Sequence, residues 1–229
     1  MSSWILRIVK IIGFALIVTM WSWLNRSRFD QSFSIIITAG GVLVVFPITW
    51  VGRRLLDARP TPDNTSRVTA IVHYAIVPLL GAAIFEAIKV GRAWAGWLIP
   101  LPREIGWILM IVTGVVLLLT VLNLALKGLG APFSIALSKR LAADWMYAWT
   151  RNPMVSGTIA FLLAYGLWLQ STLFVLWVVV LVTPAWLFFL KVFEERELEI
   201  RFGASYLEYK ARTPMLWPRR PERIEKPVT

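Results

Sequence analysis

Asp, Glu, Lys and Arg divide the chain into long uncharged blocks. Gln31–Gly52 and Ile105–Leu126 each run 22 residues without a charge, Val68–Phe85 runs 18, and Asn152–Leu190 runs 39. About 20 apolar helical residues cross the hydrocarbon layer of a bilayer. The last block therefore predicts two passes, with Gly166, Gln170, Ser171 and Thr172 marking the break between them. Trp4–Leu24 is a weaker first pass, because Arg7 and Lys10 lie near its start, where long stems can carry the charges to the interface. A cleaved signal peptide would share that basic start and apolar middle. The block ends Trp-Ser-Trp-Leu-Asn-Arg, however, with no small-residue cleavage site. The pattern predicts an all-α, multi-pass transmembrane helix bundle of six spans: 4–24, 33–51, 68–88, 105–126, 153–169 and 172–191.

The basic residues orient this bundle. With the N-terminus in the cytoplasm, 19 of the 24 Lys and Arg fall in the N-terminus, the 52–67 and 127–152 loops and the C-terminal tail. The other five fall in 25–32 and 89–104. That asymmetry follows the positive-inside rule and predicts an integral membrane protein with both termini cytoplasmic. Trp4, Trp21, Trp23, Trp50, Trp94, Trp97, Trp107 and Trp168 all stand near expected helix ends, as an aromatic belt requires. Composition agrees: 58% of the 229 residues are hydrophobic and 16% charged, against roughly 25% charged in soluble domains. The net charge of +11 then faces anionic headgroups, and no nucleic-acid partner is implied. Cysteine is absent and His73 is the only histidine, so no disulfide, thiolate or His–His metal site is possible and no metal is expected.

In the first half two polar residues fall within a span. Glu86, three residues before Lys89, reads as its interfacial partner. His73 has no second histidine or nearby acid and reads as a helix–helix hydrogen-bonding residue, while Pro78 predicts a kink in the same helix. The second half carries more chemistry. In Thr150-Arg151-Asn152-Pro153-Met154-Val155-Ser156-Gly157, Asn is a favoured N-cap and Pro a favoured first helical residue. A helix start here offers free N–H groups to an anion. Gly157 permits close approach of a backbone or flat ligand, although a well-capped helix beside a stop-transfer arginine is the plainer reading. The 17 residues Pro153–Leu169 make about 25 Å of helix, and a two-residue turn returns the chain through a helix bearing Pro184. Such a hairpin brings Arg151 close to the run Glu194-Glu195-Arg196-Glu197-Leu198-Glu199. Acids are unusual at a helix end in the headgroup layer, and they suit a ligand cationic in one part and anionic in another. A solvated helix with ordinary ion pairs is the alternative.

Taken together, Arg-Asn-Pro-Met-x-x-Gly at 151–157, a hairpin, Glu-Glu-x-x-Leu-x-x-x-Phe-Gly-x-x-Tyr-x-x-Tyr at 194–209 and Arg-x-Pro-x-x-Trp-Pro at 212–218 resemble the isoprenylcysteine carboxyl methyltransferase and phospholipid methyltransferase superfamily. Gly130-Ala131-Pro132-Phe133 and Tyr147 resemble that family's entry into the motif. The resemblance covers roughly 105–220. It divides the chain into N-terminal helices at 1–104, a methyltransferase-like membrane core at 105–220 and a flexible tail at 221–229. It implies an enzyme transferring the methyl of S-adenosylmethionine to a membrane-partitioned acceptor, isoprenylcysteine carboxylate-like or phospholipid-like. By the resemblance, Tyr147, Arg151, Asn152, Pro153, Gly157, Glu194 and Glu195 hold the cofactor on the cytoplasmic side. Arg201, Tyr206, Tyr209 and Arg212 meet the acceptor, and Glu195 and Arg201 serve catalysis. A reductase of the sterol or steroid 5α-reductase type shares this architecture but binds NADPH and typically carries Asn-Tyr-x-Gly followed by an acid. Here Met154-Val155-Ser156-Gly157 precedes Thr158, and the Glu194-Glu195 pair favours the methyltransferase. A non-enzymatic membrane scaffold is the third reading.

Overall fold

The computed structural model describes residues 3–93, 101–126 and 141–220, and every regular element among them is helical. Helix α1 is Ser3–Arg26 and α2 is Gln31–Ala58, interrupted by one turn residue at Val44. Next come α3, Pro62–Ala93, α4, Arg103–Leu126, and the single turn α5, Met146–Trp149. They are followed by α6, Pro153–Leu169, α7, Thr172–Phe202, and α8, Ala204–Arg212. All six expected spans are helices. Four of them (α2, α3, α4 and α7) are long and apolar enough to cross a membrane, while α6 and the apolar part of α1, Ile11–Arg26, are shorter.

Two boundaries differ from the sequence pattern. The third span extends from 68–88 to Pro62–Ala93, because Pro62 and Asp63 form a favourable first turn ahead of the apolar block. The last span continues from 191 to Phe202. Glu and Arg at three- and four-residue spacing sustain its acidic extension: Glu197 pairs with Arg201 at 2.6 Å and Arg196 with Glu199 at 3.5 Å.

Helix α7 is the centre of the bundle. Phe174, Trp177, Val178, Val182, Phe189, Leu190 and Phe193 pack against Val42, Val45 and Leu56 of α2 and Val68, Val72 and Ile76 of α3. In lipid the apolar side chains gain little by leaving the solvent, so close packing through small residues has to hold helices together. Glycines mark those approaches. A Cβ at Gly52 would stand 2.6 Å from Val72 and 2.9 Å from Phe193, and one at Gly106 of α4 would stand 2.4 Å from the Trp168 backbone nitrogen of α6. The opposite face of α4 exposes Trp107, Ile108, Ile111, Val115 and Leu118, the surface a lipid-facing helix needs.

Two π-helical turns interrupt α7, at Val178–Val182 and Leu190–Glu194. The first lies directly before Pro184. A proline leaves the carbonyl four residues back without a donor, and a wider turn relieves the clash. The Thr183 hydroxyl donates to the Val178 carbonyl at 2.9 Å and closes the turn.

The polar residues of the first half are structural. Glu86 is fully buried, pairs with Lys89 at 2.6 Å and accepts from the Ser34 hydroxyl at 3.0 Å, so it joins α3 to α2 inside the bundle instead of lying at the interface. His73 also departs from expectation. Its Nδ1 donates to the Thr69 carbonyl of its own helix at 2.9 Å, and only its ring reaches another helix, edge-on to Phe189 at 5.4 Å. The carbonyl one turn back takes its hydrogen bond, and Phe189, the α7 side chain it meets, offers no acceptor.

Gly106→Ala should destabilise the protein by about 1–3 kcal/mol, because its Cβ collides with backbone, whereas Gly40→Ala, with open space around it, should be neutral or stabilising. Thermal unfolding of both variants in detergent checks this. Equal midpoints would remove the α4–α6 contact from the account of stability.

Candidate functional site

The hairpin closes as its sequence predicts. Gln170 takes the left-handed conformation (φ 58°, ψ 35°) that ends α6, and the Ser171 hydroxyl accepts from the Phe174 N–H at 3.2 Å to start α7. Antiparallel return brings the first residues of α6 beside the far end of α7. The second π turn, Leu190–Glu194, sets the rotation of the acidic extension, so that Glu195 meets Arg151 while Glu194 and Glu197 lie on a neighbouring face.

At that junction is a buried ionic cluster. Arg151 Nη1 contacts Glu195 Oε1 at 2.8 Å, with both side chains about one-tenth exposed, and donates to the Tyr206 hydroxyl at 3.2 Å. The other Glu195 oxygen receives Lys210 Nζ at 2.6 Å, and Lys210 also reaches Glu199 at 3.1 Å. Helices α6, α7 and α8 are thus joined through one carboxylate. Breaking such a pair by removing one partner typically costs about 3–5 kcal/mol, since the other charge stays buried.

An extended strap completes the site. The Arg151 N–H donates to the Pro214 carbonyl at 2.9 Å. The Met215 carbonyl accepts from the Thr150 hydroxyl at 2.9 Å and the Asn152 amide at 3.1 Å, and the Leu216 carbonyl from the Ser156 hydroxyl at 3.0 Å. Asn152 stands at the N-cap position, yet its side chain makes no capping bond. The strap carbonyl takes the amide instead, so the sequence reading of Asn152 as a side-chain cap is corrected. Behind the strap, Tyr209 donates to the Tyr147 carbonyl at 2.6 Å.

Of the residues singled out in the sequence, Tyr147, Arg151, Asn152, Glu194, Glu195, Tyr206 and Tyr209 gather at this junction, with Pro153 buried at the first turn of α6. Three lie differently. Gly157 faces Leu117 of α4, where a Cβ would come within 3.0 Å, so its smallness serves helix packing. Arg201 joins the cluster's edge through Glu197 at 2.6 Å. Arg212 is half exposed and pairs with Glu208 at 3.1 Å. Gly130–Phe133 fall outside the described residues. Glu197 and Glu199 of the acidic run also take part, and so do Lys210, Thr150 and Ser156, to which the sequence reading gave no role. Lys210 lies 11 residues from Glu199 and 15 from Glu195 in the chain, and only the bend at Gly203 (φ 53°) between α7 and α8 brings them together.

The cluster retains unused polarity. Arg151 Nε is buried without a hydrogen-bond partner, and among the described residues no cation pairs with Glu194. The Glu197 and Glu195 carboxylates lie near Glu194, and burial raises the Tyr147 hydroxyl above its ordinary value, with Glu194 adding to the shift. A guanidinium nitrogen and a carboxylate left over at one place fit a ligand with an anionic part and a cationic part.

Residues 102–205 match the model of the phospholipid methyltransferase family. The match runs from α4 through the hairpin to the start of α8, and it is consistent with the membrane methyltransferase superfamily that the motifs resemble. It suggests a membrane methyltransferase. Neither the curated proteins nor the solved structures compared with the chain include a match.

Proposed function

We propose that this protein transfers a methyl group from S-adenosylmethionine to a membrane-partitioned amphiphile, with the cofactor held at the base of the α6–α7 hairpin. One observation carries the reading: Arg151 and Glu195 form a buried ion pair inside the family-matched segment, joined by Lys210 beside it, with Arg151 Nε left without a hydrogen-bond partner and no cation paired with Glu194 among the described residues. S-adenosylmethionine, when bound, supplies a methyl on a positively charged sulfur, and it also carries an ammonium and a carboxylate. Arg151 suits the carboxylate, since guanidinium donates to such groups in a planar fork. Glu194 and Glu195 suit the cationic centres.

The chain's own contribution is orientation and electrostatics. Groups fixed before the reaction spend no further entropy on alignment, and charges in a water-poor site act more strongly than in water. Tyr206 holds Arg151 in place and Tyr209 fastens α8 to Tyr147, so both position the site. The strap from Thr213 to Arg219 covers the start of α6 and keeps water from it. Glu195 and Arg201 are the residues assigned to catalysis. Arg201, at the edge of the cluster, is the candidate to hold an anionic headgroup or carboxylate of the acceptor, and Arg212 lies where an approaching acceptor would first meet the protein. The acceptor enters laterally, because uncharged helices surround the site on the membrane side. We place this end of the bundle, and both termini, in the cytoplasm on the strength of the basic-residue asymmetry.

Thermal unfolding of the purified protein with S-adenosylhomocysteine or NADPH tests the cofactor. Stabilisation by the former alone is expected, and stabilisation by NADPH alone would replace the methyltransferase with a reductase. In the double variant Glu194→Gln/Glu195→Gln, affinity for S-adenosylhomocysteine should fall at least about tenfold, as hydrogen bonds to charged groups contribute roughly 1.5–3 kcal/mol each. Wild-type affinity in that variant would leave the acids no role in binding.

A further inference from the structure

The end of the bundle opposite Arg151 carries few basic residues, and their placement is not scattered. Among the described residues, Arg26, Arg28, Lys89, Arg92 and Arg103 belong to it. All five line two clefts that share Arg92. The larger, about 480 Å³, is bordered by Arg26, Arg28, Lys89 and Arg92, with Phe85 and Ile88 on its wall. The smaller, about 260 Å³, adds Arg103.

These cations are unevenly neutralised. Lys89 is satisfied by Glu86 and by the Leu24 and Ser27 carbonyls at the end of α1. Arg92 donates only to the uncharged Tyr165 hydroxyl at 3.2 Å, and among the described residues no carboxylate pairs with Arg26, Arg28 or Arg92. The two other acids at this end give no relief to the larger cleft. Asp30 caps α2 by accepting from the Phe33 N–H at 2.9 Å, and Glu104 follows Arg103 on α4. Three guanidiniums therefore surround a half-open cleft with an apolar wall, at the level where α1 and α3 end.

We infer that this cleft binds the phosphate headgroup of an anionic phospholipid, at a site separate from the Arg151 cluster. Guanidinium pairs with phosphate in a bidentate fork. A lipid is favoured over free phosphate because the cleft lies in the range of small-molecule pockets, about 300–1,000 Å³, and has Phe85 and Ile88 beneath the cations. An anionic headgroup is favoured over a zwitterionic one because a choline or ethanolamine ammonium would face unpaired guanidiniums. The inference rests on the helix ends and their charges, and it is independent of methyl transfer.

The test uses the full chain in neutral detergent, with phosphatidylglycerol, phosphatidylcholine of the same acyl chains, and inorganic phosphate as probes. Phosphatidylglycerol should raise the unfolding midpoint at concentrations where the other two do not. Arg26→Gln/Arg28→Gln should weaken its binding about tenfold, while Arg67→Gln, an exposed arginine at the other end, should leave it unchanged. Arg92→Gln, a second route if the double variant folds poorly, should weaken it in the same direction. Equal stabilisation by phosphatidylcholine or by inorganic phosphate would overturn the inference. So would unaltered phosphatidylglycerol binding in the variants.

Discussion

The contact between Arg151 and Glu195 is the one on which the second half of the structure depends. Thirty-nine uncharged residues separate Arg151 from Lys191, so charge can return only where the hairpin leaves the apolar layer. Both partners are nearly inaccessible and neither can be hydrated cheaply. Their mutual attraction therefore fixes the registry of α6 against α7. Lys210 then brings α8 to the same carboxylate, and the strap closes over the helix start through main-chain carbonyls. A tight hairpin, a π turn and a glycine bend all serve the same geometry.

The N-terminal helices act as the wall behind that hairpin. Helix α7 buries its apolar face against α2 and α3, and the acidic extension is tied to α2 as well: Asp57 receives Arg196 at 2.8 Å, and Arg53 donates to the Val192 carbonyl at 3.1 Å. The rotation of the acidic run is thus constrained from two sides. Where the segment matching the phospholipid methyltransferase family begins, at residue 102, the packing does not stop. Helices on either side of that point share one core.

The two ends of the bundle differ in how they treat charge. At the Arg151 end, cations and carboxylates are interleaved, leaving one buried guanidinium nitrogen without a partner and, among the described residues, no cation on Glu194, which suits a ligand of mixed charge. At the opposite end Arg26, Arg28 and Arg92, with no carboxylate partner among the described residues, border an amphipathic cleft. The first arrangement suits a zwitterion and the second an anion. Both follow from the cost of leaving charge unpaired near hydrocarbon.

Periodicity and charge placement in the sequence determined the helical class, the six apolar segments, the hairpin with its turn at Gln170 and Ser171, and the pairing of Glu86 with Lys89. These depend on neighbours in the chain or on the length of an uncharged run, which are local quantities. The motifs around Arg151 and Glu194 were legible because each is compact in sequence. Lys210, the strap carbonyls at 214–216 and the packing role of Gly157 were not. Their partners lie 11 to 65 residues away, and main-chain carbonyls carry no side-chain signature. His73 misled because a membrane histidine suggests a polar partner on another helix, whereas the carbonyl of Thr69 was already within reach. Tertiary structure alone decided that Glu195, among the acids of the run, meets Arg151 and Lys210, since a π turn rotates a helix by an amount that no spacing of residues reveals.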